Sequence, residues 1–344
     1  MSEALIAISV LWALIFIYAI AGSFDFGAGF WAMVYEKGNN PSAAGIANRF
    51  LSPSWEVTNT FLVLLVVSVV SFFPKASYTL GTVLLLPGSL ILILLTIRSA
   101  FMVYSHSVKR YSYSTGLRVV SGITGLLIPG LLISVLPIIQ GEFIDTADGV
   151  QRLLMGKLFS SPTEYAYLGF GLASTLFLST ILLADYSRIA GDEEAYGRYR
   201  QNAVWLGPLT IFMAVLIILT LNKYAGWLMV NLKARQGWFL LSIAAFAVGY
   251  AVMWWKREGR ELPGVPRLTV VAIVIQYAVA SYAYGAAHLP YMVYPYSTVM
   301  ESITNRNMFH ALIISYIVGL IILLPGFIYF WRMFLKDKRY VTNK

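Results

Sequence analysis

The sequence of 344 residues has no cysteine, three histidines and few charged residues. Without cysteine there can be no disulfide framework, thiolate metal site or cysteine nucleophile. Charged residues make up 12% of the chain, whereas soluble proteins contain about 25%. Hydrophobic residues make up 58%, and the mean hydropathy is positive. This composition excludes an ordinary soluble domain and predicts a protein that lies in lipid.

Apolar runs of about 17–25 residues recur along the whole chain, and each is long enough to cross a bilayer as a helix. They predict an all-α, polytopic fold, a single integral membrane domain over residues 1–344. About nine transmembrane helices are expected, near residues 5–33, 57–73, 83–103, 116–139, 164–183, 203–221, 238–255, 268–287 and 309–334. Two four-helix bundles plus one peripheral helix fit this number. The first run has no basic segment before it, so we expect it to be retained rather than cleaved.

The basic residues lie between the apolar runs, which favours a membrane topology over nucleic-acid binding as the cause of the net charge of +9. With the C-terminus inside, the inner segments carry 17 lysines and arginines and the outer loops carry seven. Arg98, within a helix, completes the 25. The asymmetry predicts that the N-terminus is outside and the C-terminus inside. We expect lipid as a partner and no nucleic acid.

Two predicted outer loops are long. The first, Gly141–Pro162, has apolar residues at near-helical spacing, which predicts a short amphipathic helix on the outer surface. The second, Ala287–Met308, is rich in proline and tyrosine, and the preceding helix is expected to end at His288-Leu289-Pro290.

Asp25 is the clearest candidate for function, because ionisable groups inside a bilayer cost about 2.5–3.5 kcal/mol at its centre. It follows Phe24 and precedes Gly27 and Gly29 in the first predicted helix. The glycines would let another helix approach the carboxylate closely. The alternative is an acid at the helix end that extends to the inner surface. Apolar residues continue as far as Tyr35, which favours function.

Glu56 is the second candidate, at the start of the second predicted helix and on the same side of the membrane as Asp25. Trp55 precedes it, and Thr58 and Asn59 are hydrogen-bonding neighbours. The alternative is structural: Ser54 caps the helix and Glu56 interacts with its N-terminal dipole.

Arg98 lies in the inner third of the third predicted helix. It would either form a structural ion pair with Asp25 or Glu56, or stabilise the ionised forms of both acids for function. The convergence of three charged groups on the inner half of the membrane predicts a polar pocket or a proton entrance.

The three histidines, His106, His288 and His310, all lie near predicted helix ends, where they are expected to be solvated or to cap helices. The sequence has no metal-binding or phosphate-loop motif, so we expect no metal ligated by this chain. Asp185, near Arg188, is interpreted as a solvated helix terminus.

The stretch Phe24-Asp25-Phe26-Gly27-Ala28-Gly29 resembles the F-D-x-G-x-G motif of cytochrome bd quinol oxidase subunit II. Trp55-Glu56, Phe72-Phe73-Pro74 and Arg98 extend the resemblance, and length and helix number agree along the whole chain. Proteobacterial members have W-D-G-N where this chain has Trp55-Glu56-Val57-Thr58. The pattern is similar to the Gram-positive branch, in which the electron donor is commonly menaquinol.

The resemblance implies a two-subunit terminal oxidase of the bacterial cytoplasmic membrane that oxidises quinol and reduces oxygen to water. In that family subunit I ligates two b-type haems and one d-type haem. Subunit II would support subunit I and line part of a proton path from the cytoplasm, and a small single-helix subunit could join them. Asp25 and Glu56 would then transfer protons and Arg98 would be their charge partner. The supporting residues would be Phe24, Gly27, Gly29, Trp55, Thr58 and Asn59.

Two other functions remain open from the residues alone. A secondary transporter would need broken helices near the midplane related by an inverted repeat, and no matching pair is found in the second half. In a purely structural or assembly subunit, Asp25 and Arg98 would form a static ion pair.

Overall fold

A computed structural model describes residues 3–37, 40–107, 111–146, 149–256, 259, 261–303 and 306–336. Within these ranges nine helices are long and apolar enough to cross a membrane. The predicted all-α membrane fold is confirmed.

The described chain forms fourteen α-helices, one 3-10 turn (Val252–Trp254) and two short antiparallel hairpins. The helices of the first half are α1 (Glu3–Lys37), α2 (Pro41–Phe72), α3 (Pro74–Val83), α4 (Leu85–Ser107), α5 (Tyr111–Ile133), α6 (Val135–Ile139) and α7 (Met155–Phe159). Those of the second half are α8 (Pro162–Ala190), α9 (Glu193–Tyr224), α10 (Gly226–Lys233), α11 (Gln236–Ala251), α12 (Pro266–His288), α13 (Val299–Ser302) and α14 (Arg306–Lys336). The hairpins pair β1 (Ile144–Asp145) with β2 (Arg152–Leu153), and β3 (Tyr291–Val293) with β4 (Ser297–Thr298).

The second membrane helix begins sixteen residues before the predicted start at residue 57. Asn40 caps α2 by accepting the N–H of Ala43 at 3.1 Å, and Pro41 suits the first helical position. Ser54 and Glu56 therefore lie in the middle of α2. The interpretation of Ser54 as the helix cap and of Glu56 as an acid at the N-terminal dipole is wrong.

The loop predicted to hold an amphipathic helix forms the β1–β2 hairpin, followed by α7 with only five residues. Gly141 and Gly149 have φ angles of +91° and +75°, which interrupt any continuous helix there. That prediction is wrong except for the single turn of α7. The predicted end of the eighth membrane helix at His288 is confirmed, since α12 ends at this residue.

Helices α1 and α8 lie against each other and carry most of the packing. Helix α1 also contacts α2 and α5, and α8 also contacts α9 and α12, while α4 packs on α5 and α11 on α12. Helix α14 packs on α2, and no residue in the most apolar part of its span is buried. The division into two four-helix bundles plus one peripheral helix remains a prediction.

Candidate functional site

The glycines after Asp25 bring two neighbouring helices into contact with α1. A Cβ on Gly27 would lie 2.9 Å from the carbonyl oxygen of Thr175 on α8. A Cβ on Gly29 would lie 2.8 Å from Oγ of Ser121 on α5. Neither separation leaves room for a methyl group, so both positions require glycine for this close approach. Together they place Asp25 where α5 and α8 meet α1.

Asp25 and Arg98 form a buried ion pair between α1 and α4. Their exposed fractions are 2% and 3%. Arg98 Nη2 lies 3.0 Å from Asp25 Oδ2 and also donates to the Asp25 carbonyl oxygen at 3.1 Å. The second carboxylate oxygen, Oδ1, accepts the hydroxyl of Ser54 on α2 at 3.0 Å. Both carboxylate oxygens are therefore bonded, as a buried carboxylate requires.

Arg98 is held from three sides. Its Nη1 donates to the carbonyl oxygen of Ser121 at 2.7 Å and to the Ser121 hydroxyl at 3.1 Å. The guanidinium also lies 5.2 Å from the ring centre of Phe26. Its Nε has no hydrogen-bond partner among the described residues. The cation is thus fixed by α1 and α5 as well as by its own helix.

The ion pair lies near one boundary of the apolar layer. Ser54, which contacts Asp25, is the residue at which the apolar span of α2 begins. Two turns before Asp25 on the same face of α1, the hydroxyl of Tyr18 is buried and has no partner among the described residues. Sequence analysis missed Ser54, Ser121 and Tyr18 as neighbours of the carboxylate. Of these three, only Tyr18 had a signal in the sequence: it lies seven residues before Asp25, which places both on one face of a helix.

Glu56 does not join this group, because its side chain is exposed on α2. Its neighbour Thr58 is buried and donates to the Ser54 carbonyl oxygen at 3.0 Å. Trp55 and Asn59 are half-buried. Phe24, also half-buried, packs in the core between α1 and α8. The predicted convergence of three charges is therefore reduced to the pair of Asp25 and Arg98.

Asp185 is not the solvated terminus that the sequence indicated. It is 5% exposed and accepts Nε of Arg267 on α12 at 2.6 Å. Arg188, its predicted neighbour, instead pairs with Glu193 at 2.7 Å. The prediction failed because Arg267 is distant in sequence, and only the fold brings it to Asp185.

His288 is buried, with 4% exposure, so its expected position in solvent is wrong. Its ring stacks on Tyr284 with centres 6.1 Å apart, and the ring of Trp227 lies 5.3 Å away. A haem would have to displace these rings to reach the imidazole. His310 has an exposed side chain 3.5 Å from Glu3, and the side chain of His106 lies outside the described part.

The imidazole of His288 is thus packed between aromatic side chains. In the described ranges no group of three histidine or acidic side chains is placed to hold a metal ion.

Comparison with known protein families gives a match over nearly the whole chain. The family model for cytochrome bd terminal oxidase subunit II matches residues 3–334. The chain belongs to this family. The predicted resemblance is thereby confirmed, and membership favours an oxidase subunit over a secondary transporter.

Two individual relatives agree with the family. A putative cytochrome bd menaquinol oxidase subunit II of Bacillus subtilis (strain 168) is 50% identical over 344 residues, which is 100% of this chain and 99% of that protein. A chain in the structure of bd oxidase from Geobacillus thermodenitrificans is 35% identical, with a TM-score of 0.82 over 98% of this chain and 100% of that chain. This chain is therefore a multi-pass bacterial membrane protein and a subunit of an oxidoreductase complex that also contains a subunit I.

Proposed function

We propose that this chain is the haem-free subunit of a menaquinol oxidase that reduces oxygen to water. In this proposal subunit I ligates two b-type haems and one d-type haem, and this chain supports it and supplies part of its proton path from the cytoplasm. The name of the Bacillus subtilis relative supports menaquinol as the donor. The observation that carries the proposal is the buried Asp25, paired with Arg98 near one boundary of the apolar layer.

Asp25 is suited to hold and pass a proton. Arg98 compensates the charge of the carboxylate, so Asp25 can exist ionised in a setting of low dielectric constant. The guanidinium is also bound to Ser121 and stays in place when Asp25 takes up a proton. The Ser54 hydroxyl both donates and accepts, so it can exchange a proton with Asp25 and with a water beyond it.

Glu56 is proposed as a second acid of the path, at the surface of this chain. An ionisable residue at membrane depth normally faces protein or a water-filled cavity rather than lipid. The exposed Glu56 side chain is therefore proposed to be covered in the complex by subunit I or by a small single-helix subunit.

Asparagine at position 25 keeps the size and hydrogen-bonding capacity of the side chain but cannot carry a proton. We expect Asp25→Asn to slow oxygen consumption per haem roughly tenfold or more, because positioned proton transfer commonly contributes 10²–10⁴ in rate. Asp185→Asn is the control: it makes the same change in another buried aspartate that pairs with an arginine, the exposed Arg267, and it lies outside the proposed path.

A purely structural subunit makes a different prediction. If Asp25 and Arg98 form only a static pair, Asp25→Asn lowers haem content and leaves the turnover per haem at the wild-type level. Wild-type turnover per haem over the whole pH range would refute the proton role.

The proposed path requires the N-terminus outside and the C-terminus inside. The absence of cysteine makes single substitutions clean probes of this orientation. Lys157 and Arg198 are both exposed and flank opposite ends of α8. In intact cells an impermeant maleimide should label Lys157→Cys and should label Arg198→Cys only after lysis. The reverse pattern would refute the orientation.

A further inference from the structure

Helix α8 begins with Ser161-Pro162-Thr163-Glu164, a spacing typical of a capping box, in which Glu164 would bind the N–H of Ser161. The structure does not form it. The Ser161 N–H donates to the carbonyl oxygen of Leu158 at 3.0 Å instead. Glu164 turns inward and is 1% exposed, which leaves its carboxyl group free for another purpose.

The carboxyl group of Glu164 has only one partner among the described residues. Its Oε1 accepts the hydroxyl of Ser134 in a short hydrogen bond, and its Oε2 has none. In the described ranges no lysine or arginine lies within ion-pair distance of it. A buried carboxylate without a cation is strongly unfavourable, which favours the protonated form of Glu164.

A chain of polar and aromatic contacts begins one turn after Glu164. Tyr167 follows it by one turn on the same face of α8. Gln140 donates to the hydroxyl of Tyr167 at 2.8 Å and to that of Tyr284 at 3.1 Å. The ring of Tyr284 stacks on His288. Further titratable groups lie beyond it, since Trp227 packs on His288, Tyr291 and Tyr294.

Several buried polar atoms of this group lack a partner in the described part of the chain. Besides Glu164 Oε2, they are the Thr163 hydroxyl, both ring nitrogens of His288 and Nε1 of Trp227. The backbone of Met292 lies near His288, but no contact there has hydrogen-bond geometry. Each unsatisfied buried group costs about 1–3 kcal/mol, and buried water is the usual partner of such groups.

We propose that the unpartnered Oε2 of Glu164 binds a buried water and that this carboxyl group stores one exchangeable proton. The bound water accepts a hydrogen bond from the carboxyl group of Glu164. The Glu164 carboxylic acid gives its proton to this water and regains one from it, so no electron transfer is involved. The site lies roughly 16 Å along α8 from Thr175, where Gly27 packs, and so is separate from Asp25.

Infrared difference spectroscopy of the purified complex tests the site, because the carbonyl stretch of a protonated carboxyl group is resolved from that of a carboxylate. In H₂O-minus-D₂O spectra we expect the wild type to show an exchangeable carboxyl band that is absent from Glu164→Gln. Glu301→Gln, which changes an exposed acid, is the control and should retain the band. Persistence of the full band in Glu164→Gln would overturn the proposal.

Ser134→Ala gives an independent test that keeps Glu164 in place, and it serves where Glu164→Gln fails to assemble. Loss of the hydroxyl donor should shift the frequency of the same band without removing it, because the carboxyl loses its only described hydrogen bond. An unshifted band would contradict the assignment to Glu164. Neither result depends on the turnover of Asp25→Asn, so this inference and the proposed proton path can fail separately.

Discussion

Asp25 and Glu164 are buried to almost the same extent, with 2% and 1% exposure, yet their surroundings differ. Asp25 has a guanidinium on one oxygen and a hydroxyl on the other. Glu164 has a hydroxyl on one oxygen, and no cation among the described residues reaches it. We therefore expect burial alone not to set the charge of a carboxyl group in this protein. We expect the presence of a fixed cation to decide it.

Removing the cation from the Asp25 site is expected to have the largest effect. Arg98→Leu leaves Asp25 buried without a charge partner, and breaking a buried pair in this way costs about 3–5 kcal/mol. The measurement is the thermal stability of the complex, with haem retention as the readout. A stability within error of wild type would mean that Asp25 is neutral or solvated in the complex.

The double variant Asp25→Leu with Arg98→Leu separates stability from function. Because it leaves no unpaired charge, most of the stability lost in Arg98→Leu should return. Oxygen consumption should not return, since no carboxyl group remains at position 25. Recovery of both would show that the pair is only structural.

The next largest loss of stability is expected when a methyl group is added at Gly27, where α1 and α8 approach each other closely. Gly27→Ala places a methyl group 2.9 Å from the Thr175 carbonyl oxygen, and such overpacking typically costs about 1–3 kcal/mol. Gly45→Ala on α2 is the matched control, because a Cβ there meets no atom within 4 Å. Thermal unfolding should separate the two variants. Equal stability would mean that α1 and α8 lie farther apart in the complex.

Substitution of Ser54 and of Ser134 tests which carboxyl group is charged, because Ser54 binds Asp25 and Ser134 binds Glu164. A hydrogen bond to a charged group contributes about 1.5–3 kcal/mol and one between neutral groups about 0.5–1.5 kcal/mol. Ser54→Ala should therefore destabilise the complex more than Ser134→Ala. The opposite order in denaturation experiments would place the charge on Glu164 rather than on Asp25.

Glu56→Gln should have the smallest effect, with less change in turnover than Asp25→Asn. The Glu56 side chain is exposed, and a water chain or another acid can replace it near the aqueous boundary. Oxygen consumption per haem measures this. A loss as large as that of Asp25→Asn would make Glu56 an obligatory step.

Hydropathy located the membrane helices because an apolar run must be long enough to cross the bilayer. It missed the start of α2, since residues 41–53 are helical but not strongly apolar. The signal there was local: Asn40 followed by Pro41 is a typical helix start. The pairing of Asp25 with Arg98 was within reach of the sequence, because few charges lie at membrane depth and each needs a partner.

The burial of Glu164, Asp185 and His288 could not be predicted in the same way. All three lie at or near helix ends, where sequence patterns indicate contact with solvent. Their burial depends on other segments, such as Ser134 beside Glu164 and Arg267 beside Asp185. Contacts between residues so distant in sequence are a property of the fold and leave no local pattern.

Proton uptake during oxygen reduction tests the central role of Asp25 most directly. The reduced complex is reconstituted in vesicles so that the C-terminal end of α1 faces the bulk phase. It is then mixed with oxygen while a pH dye in that phase reports proton consumption. The proposed path predicts that Asp25→Asn reacts with oxygen but takes up protons much more slowly than wild type and Asp185→Asn. Uptake by Asp25→Asn at the wild-type rate would contradict the account.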